Sequence, residues 1–190
     1  MNTQLDYLRI ASWTVGSYSH ILARIMLAWP EDWEQSGWLQ YKGWKKEAFF
    51  IGHGTQQGKA HTIINVSGNL SQKLLPTLRA LENWYATRID LQITIDACVM
   101  GDDSLSMLRD DCATKNTTLI ESIENDTLYL GSRSSEVFLR LYEKILENKK
   151  YLRLEFELKG QRARTCWAAI TKGESLDRVF KYYNKRSKLP

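Results

Sequence analysis

The sequence has little cysteine and little proline. Its three cysteines, Cys98, Cys112 and Cys166, are widely spaced and form no C-x-x-C pair, so the sequence indicates neither a disulfide framework nor a zinc site. Only three prolines occur, and there is no Pro- or Gly-rich linker, internal repeat or low-complexity tract. We therefore expect buried thiols in a reducing compartment and one globular domain over residues 1–190.

The sequence also lacks a long uncharged apolar run. Asp6 and Arg9 fall where the apolar region of a signal peptide would lie, and Arg24 interrupts the only other candidate. Hydrophobic residues make up 43% of the chain and aromatic residues 11%, which argues against disorder. We expect a soluble cytoplasmic protein that has no membrane partner.

The charge is unevenly distributed along the chain. The formal net charge is only +4, but residues 131–190 contain fifteen Lys and Arg against seven Asp and Glu, whereas residues 1–130 contain eleven against fifteen. A basic region confined to one part of a fold suits a polyanion such as nucleic acid. The alternative is that these residues only solvate a helix and a tail.

Hydrophobic periodicity predicts alternating strands and helices. The predicted strands are Leu5–Trp13, Trp38–Ile51, Ala60–Val66, Arg88–Ala97, Thr127–Leu130, Phe138–Lys144 and Leu152–Lys159. The predicted helices are Ser17–Ala28, a helix capped by Asn69 or Ser71 that runs to about Tyr85, Ser104–Ala113, and Ser175–Tyr183. Residues 52–59 are predicted as a loop. This order predicts an α+β fold: a mostly antiparallel central sheet with helices packed on one face and the active site on the open face.

Three of the predicted strands separate apolar from charged side chains, because alternate positions of a strand share a face. The polar faces are Arg88, Asp90, Gln92, Thr94 and Asp96 in the first strand, Phe138, Arg140, Tyr142 and Lys144 in the second, and Arg153, Glu155, Glu157 and Lys159 in the third. If these strands pair, their charged faces form one cluster. The alternative is a solvated outer face with cross-strand salt bridges.

Such a cluster suits phosphodiester transfer. Asp90 with Glu155 or Glu157 could hold a divalent metal ion through hard oxygen ligands, and that ion would polarise a scissile phosphate. A tyrosine hydroxyl has a reference pKa of ~10 and is a weak nucleophile at neutral pH. Arg140 and Lys144, on the strand face of the central tyrosine, could favour its phenolate or bind phosphate oxygens.

Three segments carry a specific resemblance. They are T-R-I-D-L at 87–91, Y-L-G-S-R-S-S-E-V-F-L-R-L-Y-E-K at 129–144 and L-R-L-E-F-E-L-K-G-Q-R-A at 152–163. Together they resemble the signature of the replication initiation factor family, the Mg2+- or Mn2+-dependent rolling-circle initiators of small plasmids and some filamentous phages; residues 1–86 match only in element order. The resemblance implies an enzyme that nicks one DNA strand at an origin, becomes joined to the 5′ phosphate and leaves a 3′ hydroxyl as primer.

Carried over residue by residue, the resemblance implies roles for the matching positions. Tyr142, the tyrosine of R-x-Y-[DE]-K, is the implied nucleophile, with Arg140 and Lys144 beside it, and Tyr129 is the competing candidate. The implied acidic residues are Asp90, Glu155 and Glu157. Further expected DNA contacts are Arg88, Ser132, Arg133, Arg153, Lys159, Arg162 and Arg164. The expected partner is origin DNA, single-stranded or extruded as a hairpin, with a host helicase and a second copy of the chain as further candidates.

Two features bear on how far the resemblance carries. Other rolling-circle nucleases bind metal through paired histidines, whereas His20, His53 and His61 form no H-x-H pair, which favours carboxylate-based chemistry. Relatives continue well beyond the third segment, and here only about thirty residues follow it, so we expect origin-recognition or dimerisation parts to be missing, minimal or supplied by another protein. A non-catalytic DNA-binding regulator on the same fold, or a relaxase of a mobile element, are the alternative functions.

The segment from Trp38 to Lys46 mixes aromatic with basic residues. Trp38, Tyr41 and Trp44 could stack on unpaired or extruded bases. Core packing is the alternative, because most of the seven tryptophans must be buried somewhere.

Overall fold

A computed structural model describes residues 2–14, 17–30, 32–96, 117–120 and 127–187. The strands in these ranges are β1 Gln4–Ser12, β2 Glu34–Trp38, β3 Tyr41–Lys46, β4 Phe49–Gln56, β5 Lys59–Ser67, β6 Tyr85–Asp96, β7 Thr117–Ile120, β8 Thr127–Leu130, β9 Val137–Leu146 and β10 Lys149–Lys159. The helices are α1 Ser17–Ala28, α2 Asn69–Arg79, α3 Gly160–Thr171 and α4 Leu176–Ser187. The predicted helix Ser104–Ala113 lies outside the described residues.

The described strands form one sheet in the order β2-β3-β4-β5-β1-β6-β10-β9-β8-β7, and every neighbouring pair is antiparallel. β6 lies at the centre between β1 and β10, so the segment T-R-I-D-L is next to the segment L-R-L-E-F-E-L-K. All four helices contribute to one hydrophobic core on one side of this sheet. The predicted α+β fold with a mostly antiparallel sheet is therefore confirmed.

The core is built from the apolar faces of the alternating strands. Leu91 of β6 and Phe156 of β10 are both fully buried and lie opposite each other in register. Phe156 packs edge-on against Phe180 of α4, with ring centroids 5.0 Å apart. Because this side of the sheet buries the apolar residues, the odd-even alternation leaves the charged residues of the same strands on the opposite, open side.

Several predicted boundaries were wrong at turns. Trp38–Ile51 is the end of β2, all of β3 and the start of β4 rather than one strand, with the backbone turning at Glu47, where φ is 50°. The predicted loop at residues 52–59 is mostly strand, because β4 continues to Gln56 and only Gln57 and Gly58 form the turn, with φ of 51° and 74°. Two residues with positive φ make the tight hairpin turn whose twist matches the flanking strands.

Helix α2 also differs from its prediction. It ends at Arg79 instead of near Tyr85, because Tyr85 already belongs to β6. Gly68 takes the N-cap position and provides no side-chain cap, while the buried Ser71 hydroxyl donates to the carbonyl oxygens of Leu5 and Gly68. Ser71 therefore fastens α2 to β1 rather than capping the helix. Strand β7 was not predicted.

Membrane-spanning segments are absent from the described part of the chain. None of its helices combines the length and the hydrophobicity that crossing a bilayer requires.

Candidate active site

The three charged strand faces lie side by side on the open side of the sheet. In the register of β10 with β6, Glu157 is opposite Asp90, and in the register of β10 with β9, Glu155 is opposite Arg140. Tyr142 is opposite Arg153. The structure therefore brings the predicted acidic residues and the predicted nucleophile into one cluster, as the alternation of the strands indicated.

Three carboxylates converge on a single nitrogen of Arg140. Its Nη2 lies 3.5 Å from Asp90 Oδ2 and 4.0 Å from Glu157 Oε2, and it donates a short hydrogen bond to Glu155 Oε1. The side chains of Asp90 and Glu155 are almost fully buried. Buried carboxylates need a positive charge close by, and Arg140 supplies one to all three.

Two further cations complete the cluster. Arg88 donates to both oxygens of Asp90, from Nε at 2.9 Å and from Nη2 at 2.6 Å, and the same Nη2 lies 2.9 Å from Glu157 Oε2. Lys159 Nζ lies 3.0 Å from Glu157 Oε1. These ion pairs are partly shielded from water, so they are screened less by salt than pairs on an open surface.

Tyr142 is hydrogen-bonded to this cluster. Its hydroxyl donates to Glu155 Oε2 at 3.3 Å, whereas the other oxygen of the same carboxylate, Oε1, accepts from Arg140. Burial raises the pKa of the Tyr142 hydroxyl, and the negative charge of Glu155 raises it further, while Arg153 opposes the shift. In this state Tyr142 is a protonated phenol with its proton directed at a carboxylate.

The two buried carboxyls have raised pKa values. Burial raises the pKa of Glu155 to about 7; Arg140 opposes this shift, and the charges of Asp90 and Asp6 add to it. The pKa of Asp90 is also raised, mainly by burial, against the opposing effect of Arg88. A carboxyl that titrates near neutral pH next to a tyrosine can accept its proton.

Asp6 is a residue of this site that the sequence analysis missed. Its negative charge acts on both Glu155 and Tyr142, although it belongs to β1. β1 shifts register against β6 between Leu5 and Tyr7, which places an irregularity at Asp6. Such a β-bulge re-aims side chains and breaks strict alternation. The buried residues of β1 are three positions apart from Leu5 to Leu8 but two apart from Leu8 to Ile10. This break in the alternation was the signal that could have located the bulge.

The acidic residues supply suitable donors for a hard divalent cation, because carboxylate oxygens are the ligands that Mg2+ and Mn2+ favour. In the ranges described above, however, no three His, Cys, Asp or Glu side chains stand in a metal-binding arrangement. Asp90, Glu155 and Glu157 surround Arg140 Nη2 instead. The donor chemistry fits a metal ion, and the point where the donors meet holds a cationic nitrogen.

The competing tyrosine is placed differently. Tyr129 of β8 is opposite Arg140 in register but stacks on Phe138, with centroids 5.5 Å apart, and lies beneath the guanidinium of Arg133 at 5.2 Å. The Ser132 hydroxyl hydrogen-bonds to that of Ser134 within the β8–β9 turn. The aromatic ring of Tyr129 therefore forms part of the wall of the site.

The remaining predicted DNA contacts are spread around the cluster. Lys144 lies opposite Tyr151, towards the β9–β10 turn, and forms no ion pair with any carboxylate in the described ranges. Arg153 is buried beside Tyr142. Arg162 and Arg164 are exposed on α3, and Arg164 lies over the ring of Tyr85, 4.8 Å from its centroid. The structure gathers Arg88, Arg140 and Lys159 at the carboxylates, places Arg153 beside Tyr142 and leaves the α3 arginines apart.

Comparison with known proteins identifies a similar fold. No family model matches the chain, and no curated protein does. Among solved structures, the chain resembles the rolling circle replication initiator protein from Geobacillus stearothermophilus with a TM-score of 0.73. The likeness covers 97% of this chain and 84% of the other, at 19% sequence identity. The two proteins share a fold.

Proposed function

We propose that the protein is a rolling-circle replication initiator that nicks and rejoins one DNA strand through a phosphotyrosyl intermediate at Tyr142. The observation that carries this proposal is the convergence of three carboxylates on Arg140 Nη2, with Tyr142 hydrogen-bonded to one of them. The shared fold with a protein described as such an initiator supports it. The three sequence segments that resemble the family lie together at this site.

In the nicking step Glu155 accepts the phenol proton of Tyr142 as the phenolate oxygen attacks the scissile phosphorus. The new bond joins that oxygen to phosphorus, and the bond from phosphorus to the 3′ oxygen breaks. The 3′ oxygen takes up the proton that Glu155 received, so charge and protons balance. Rejoining is the same step in reverse, with the 3′ hydroxyl as the attacking group.

Positive charge must accompany the phosphate into a site that holds three carboxylates. Arg88 and Arg140, which pair with the carboxylates in this structure, would donate to its oxygens, since guanidinium groups bind phosphate in a bidentate manner. Asp90, Glu155 and Glu157 would hold Mg2+ or Mn2+, which when bound neutralises charge that develops on the phosphate. Such binding would require Arg140 to leave the point where the carboxylates meet, which would free its guanidinium for the phosphate.

The test is cleavage of supercoiled DNA that carries the replicon's origin, with Mg2+ or Mn2+. We expect open circles and a protein–DNA adduct that resists SDS, both absent in Tyr142→Phe. The matched control is Tyr129→Phe, which removes the competing hydroxyl and should keep both products. An adduct that persists undiminished in Tyr142→Phe would overturn the assignment of the nucleophile.

Two alternatives give different results in the same assay. A non-catalytic regulator binds the DNA with a steep salt dependence but forms no adduct with any divalent metal. A relaxase forms the same adduct at a transfer origin in place of a replication origin.

Asp90→Asn should reduce cleavage far more than DNA binding, because its carboxylate is nearly buried and serves chemistry rather than DNA contact.

A further inference from the structure

A second polar and aromatic cluster lies on the open face next to the active site. His61 of β5 is at its centre: its Nδ1 lies 2.7 Å from the Tyr41 hydroxyl and its Nε2 lies 2.9 Å from the Tyr85 hydroxyl. The ring of Trp13 packs on His61 with centroids 4.3 Å apart. Burial lowers the pKa of His61, so the centre of the cluster is uncharged at neutral pH. We call His61, Tyr41, Tyr85, Trp13, Trp38 and Arg9 the aromatic patch.

The sheet curls strongly to form this patch. Trp38 of β2 and Arg9 of β1 are separated by four strand spacings and by four residues along a strand, which is roughly 23 Å in a flat sheet. The Arg9 guanidinium nevertheless lies 4.4 Å from the centroid of the Trp38 ring. Glycines allow this curl, because a Cβ at Gly43 would lie 2.0 Å from the carbonyl oxygen of Ile51. The open face at this end is therefore concave.

Arg9 carries a charge with no counter-ion among the residues that the structure describes. Its guanidinium donates to the Tyr7 hydroxyl at 2.8 Å and to Asn65 Oδ1 at 2.9 Å, both neutral acceptors. Within the ranges that the structure describes, Arg9 forms no ion pair with a carboxylate. Arg164 is a second cation at the patch, and its guanidinium lies over the Tyr85 ring as that of Arg9 lies over the Trp38 ring. The patch therefore combines aromatic rings with unneutralised cations, the combination that binds the bases and phosphates of an unpaired strand.

The patch is continuous with the active site. Arg9 is opposite Arg88 in register, and Arg88 lies over the Tyr7 ring at 4.7 Å while its guanidinium holds Asp90. Glu155 and Arg9 are separated by two strand spacings and by four residues along a strand. Their backbone positions are therefore about 16 Å apart. That span corresponds to about five nucleotides at the ~3.4 Å rise of a stacked strand.

We propose that the aromatic patch binds unpaired bases of single-stranded DNA. Arg9 is the phosphate contact, about five nucleotides from the phosphate at Tyr142, and Trp13 and Trp38, which lie beyond Arg9, are the stacking surfaces. This inference rests on the proposed function and names where its substrate strand runs. Trp13 is 41% exposed, which leaves ring surface for a base.

The test is equilibrium binding without metal in the Tyr142→Phe background, so that no chemistry contributes. The probe is a fluorescently labelled 12-nucleotide single strand of thymidines, compared with a duplex of the same length. Trp38→Ala and Trp13→Ala should each weaken single-strand binding about 5- to 100-fold, the measured range for one stacked base. Trp38→Phe should restore most of it. Arg9→Gln should reduce the slope of log affinity against log salt by about 0.7, the value for one phosphate on a single strand.

The control variant is Tyr182→Ala, which removes an exposed aromatic ring from α4 on the helical side and should change nothing. Abasic substitutions beyond the fifth nucleotide from the nick, in origin DNA bound by the Tyr142→Phe protein, should weaken binding without any further change to the protein. Unchanged single-strand affinity in the Trp38, Trp13 and Arg9 variants would overturn the proposal. Nicking is measured separately. Normal cleavage together with unchanged single-strand affinity would overturn the proposed role of the aromatic patch and leave the proposed function intact.

Discussion

Replacing Glu155 by Gln should stabilise the protein at alkaline pH while abolishing its chemistry. Glu155 is 2% exposed, and its buried carboxylate shares Arg140 with Asp90 and Glu157. Gln keeps the shape of the side chain and removes the buried negative charge. Arg140 retains two carboxylate neighbours in this variant, so it is not left as an unpaired buried cation.

The magnitude follows from the pKa of Glu155, which burial raises from 4.5 to about 7. One unit of pKa shift corresponds to about 1.4 kcal/mol, so the ionised carboxylate lowers the free energy of unfolding by at most about 3.5 kcal/mol above pH 7. The folded state binds this proton more tightly than the unfolded state, so the loss of stability is absent below pH 4.5 and grows as pH rises to 7. Because Arg140 is shared by three carboxylates, we expect the ionised Glu155 carboxylate to lower the free energy of unfolding by about 1–3 kcal/mol.

The assay is urea unfolding at pH 5, 6, 7 and 8 in the presence of a chelator. Glu155→Gln should be more stable than the parent at pH 8 by about 1–3 kcal/mol and nearly equal to it at pH 5. The control is Glu143→Gln, whose carboxylate pairs with Lys150 at 2.8 Å near the β9–β10 turn and should not change the pH dependence in this way. A Glu155→Gln protein that is less stable than the parent at pH 8 would refute the reasoning.

Three further predictions test the fold and its core. Phe156→Ala, at a fully buried ring packed on Phe180, should cost about 3–5 kcal/mol in urea unfolding. Gly43→Ala should destabilise the protein by about 1–3 kcal/mol, measured the same way, because its Cβ meets the Ile51 carbonyl oxygen at 2.0 Å. Burial raises the pKa of the Cys166 thiol to about 12, so a variant with Cys166 as its one cysteine should react with iodoacetamide only on unfolding.

The charged cluster could be predicted from sequence because its strands alternate strictly. In β6 and β10 every second residue is apolar across the region that carries Asp90, Glu155 and Glu157, so the face of each carboxylate follows from parity alone. The structure adds the register, which sets Glu157 opposite Asp90 and Glu155 opposite Arg140. Register depends on turns and on long-range pairing, neither of which a single strand's pattern contains.

Two features that sequence reasoning missed depend on irregular backbone or on close backbone contact. The bulge at Asp6 adds an acidic residue to the site from β1, a strand whose faces the sequence analysis did not assign. The curl that joins Trp38 to Arg9 requires close backbone approach at Gly43, and composition alone does not reveal whether a glycine serves a turn or a close contact. The assembly of the patch therefore follows only from the three-dimensional structure, although the sequence indicated Trp38 and Tyr41 as candidates for stacking on bases.

The arrangement of acidic groups favours chemistry over simple DNA binding. Asp90 and Glu155 are nearly buried, both have raised pKa values, and each ionised carboxylate lowers the stability of the fold. The same charges repel a DNA phosphate. A protein that only binds DNA gains nothing from placing them beside Tyr142, whereas a phosphotyrosyl transferase needs a proton acceptor at the phenol and a donor set for a cation. The cost to folding and the cost to affinity therefore both support the proposed reaction at Tyr142.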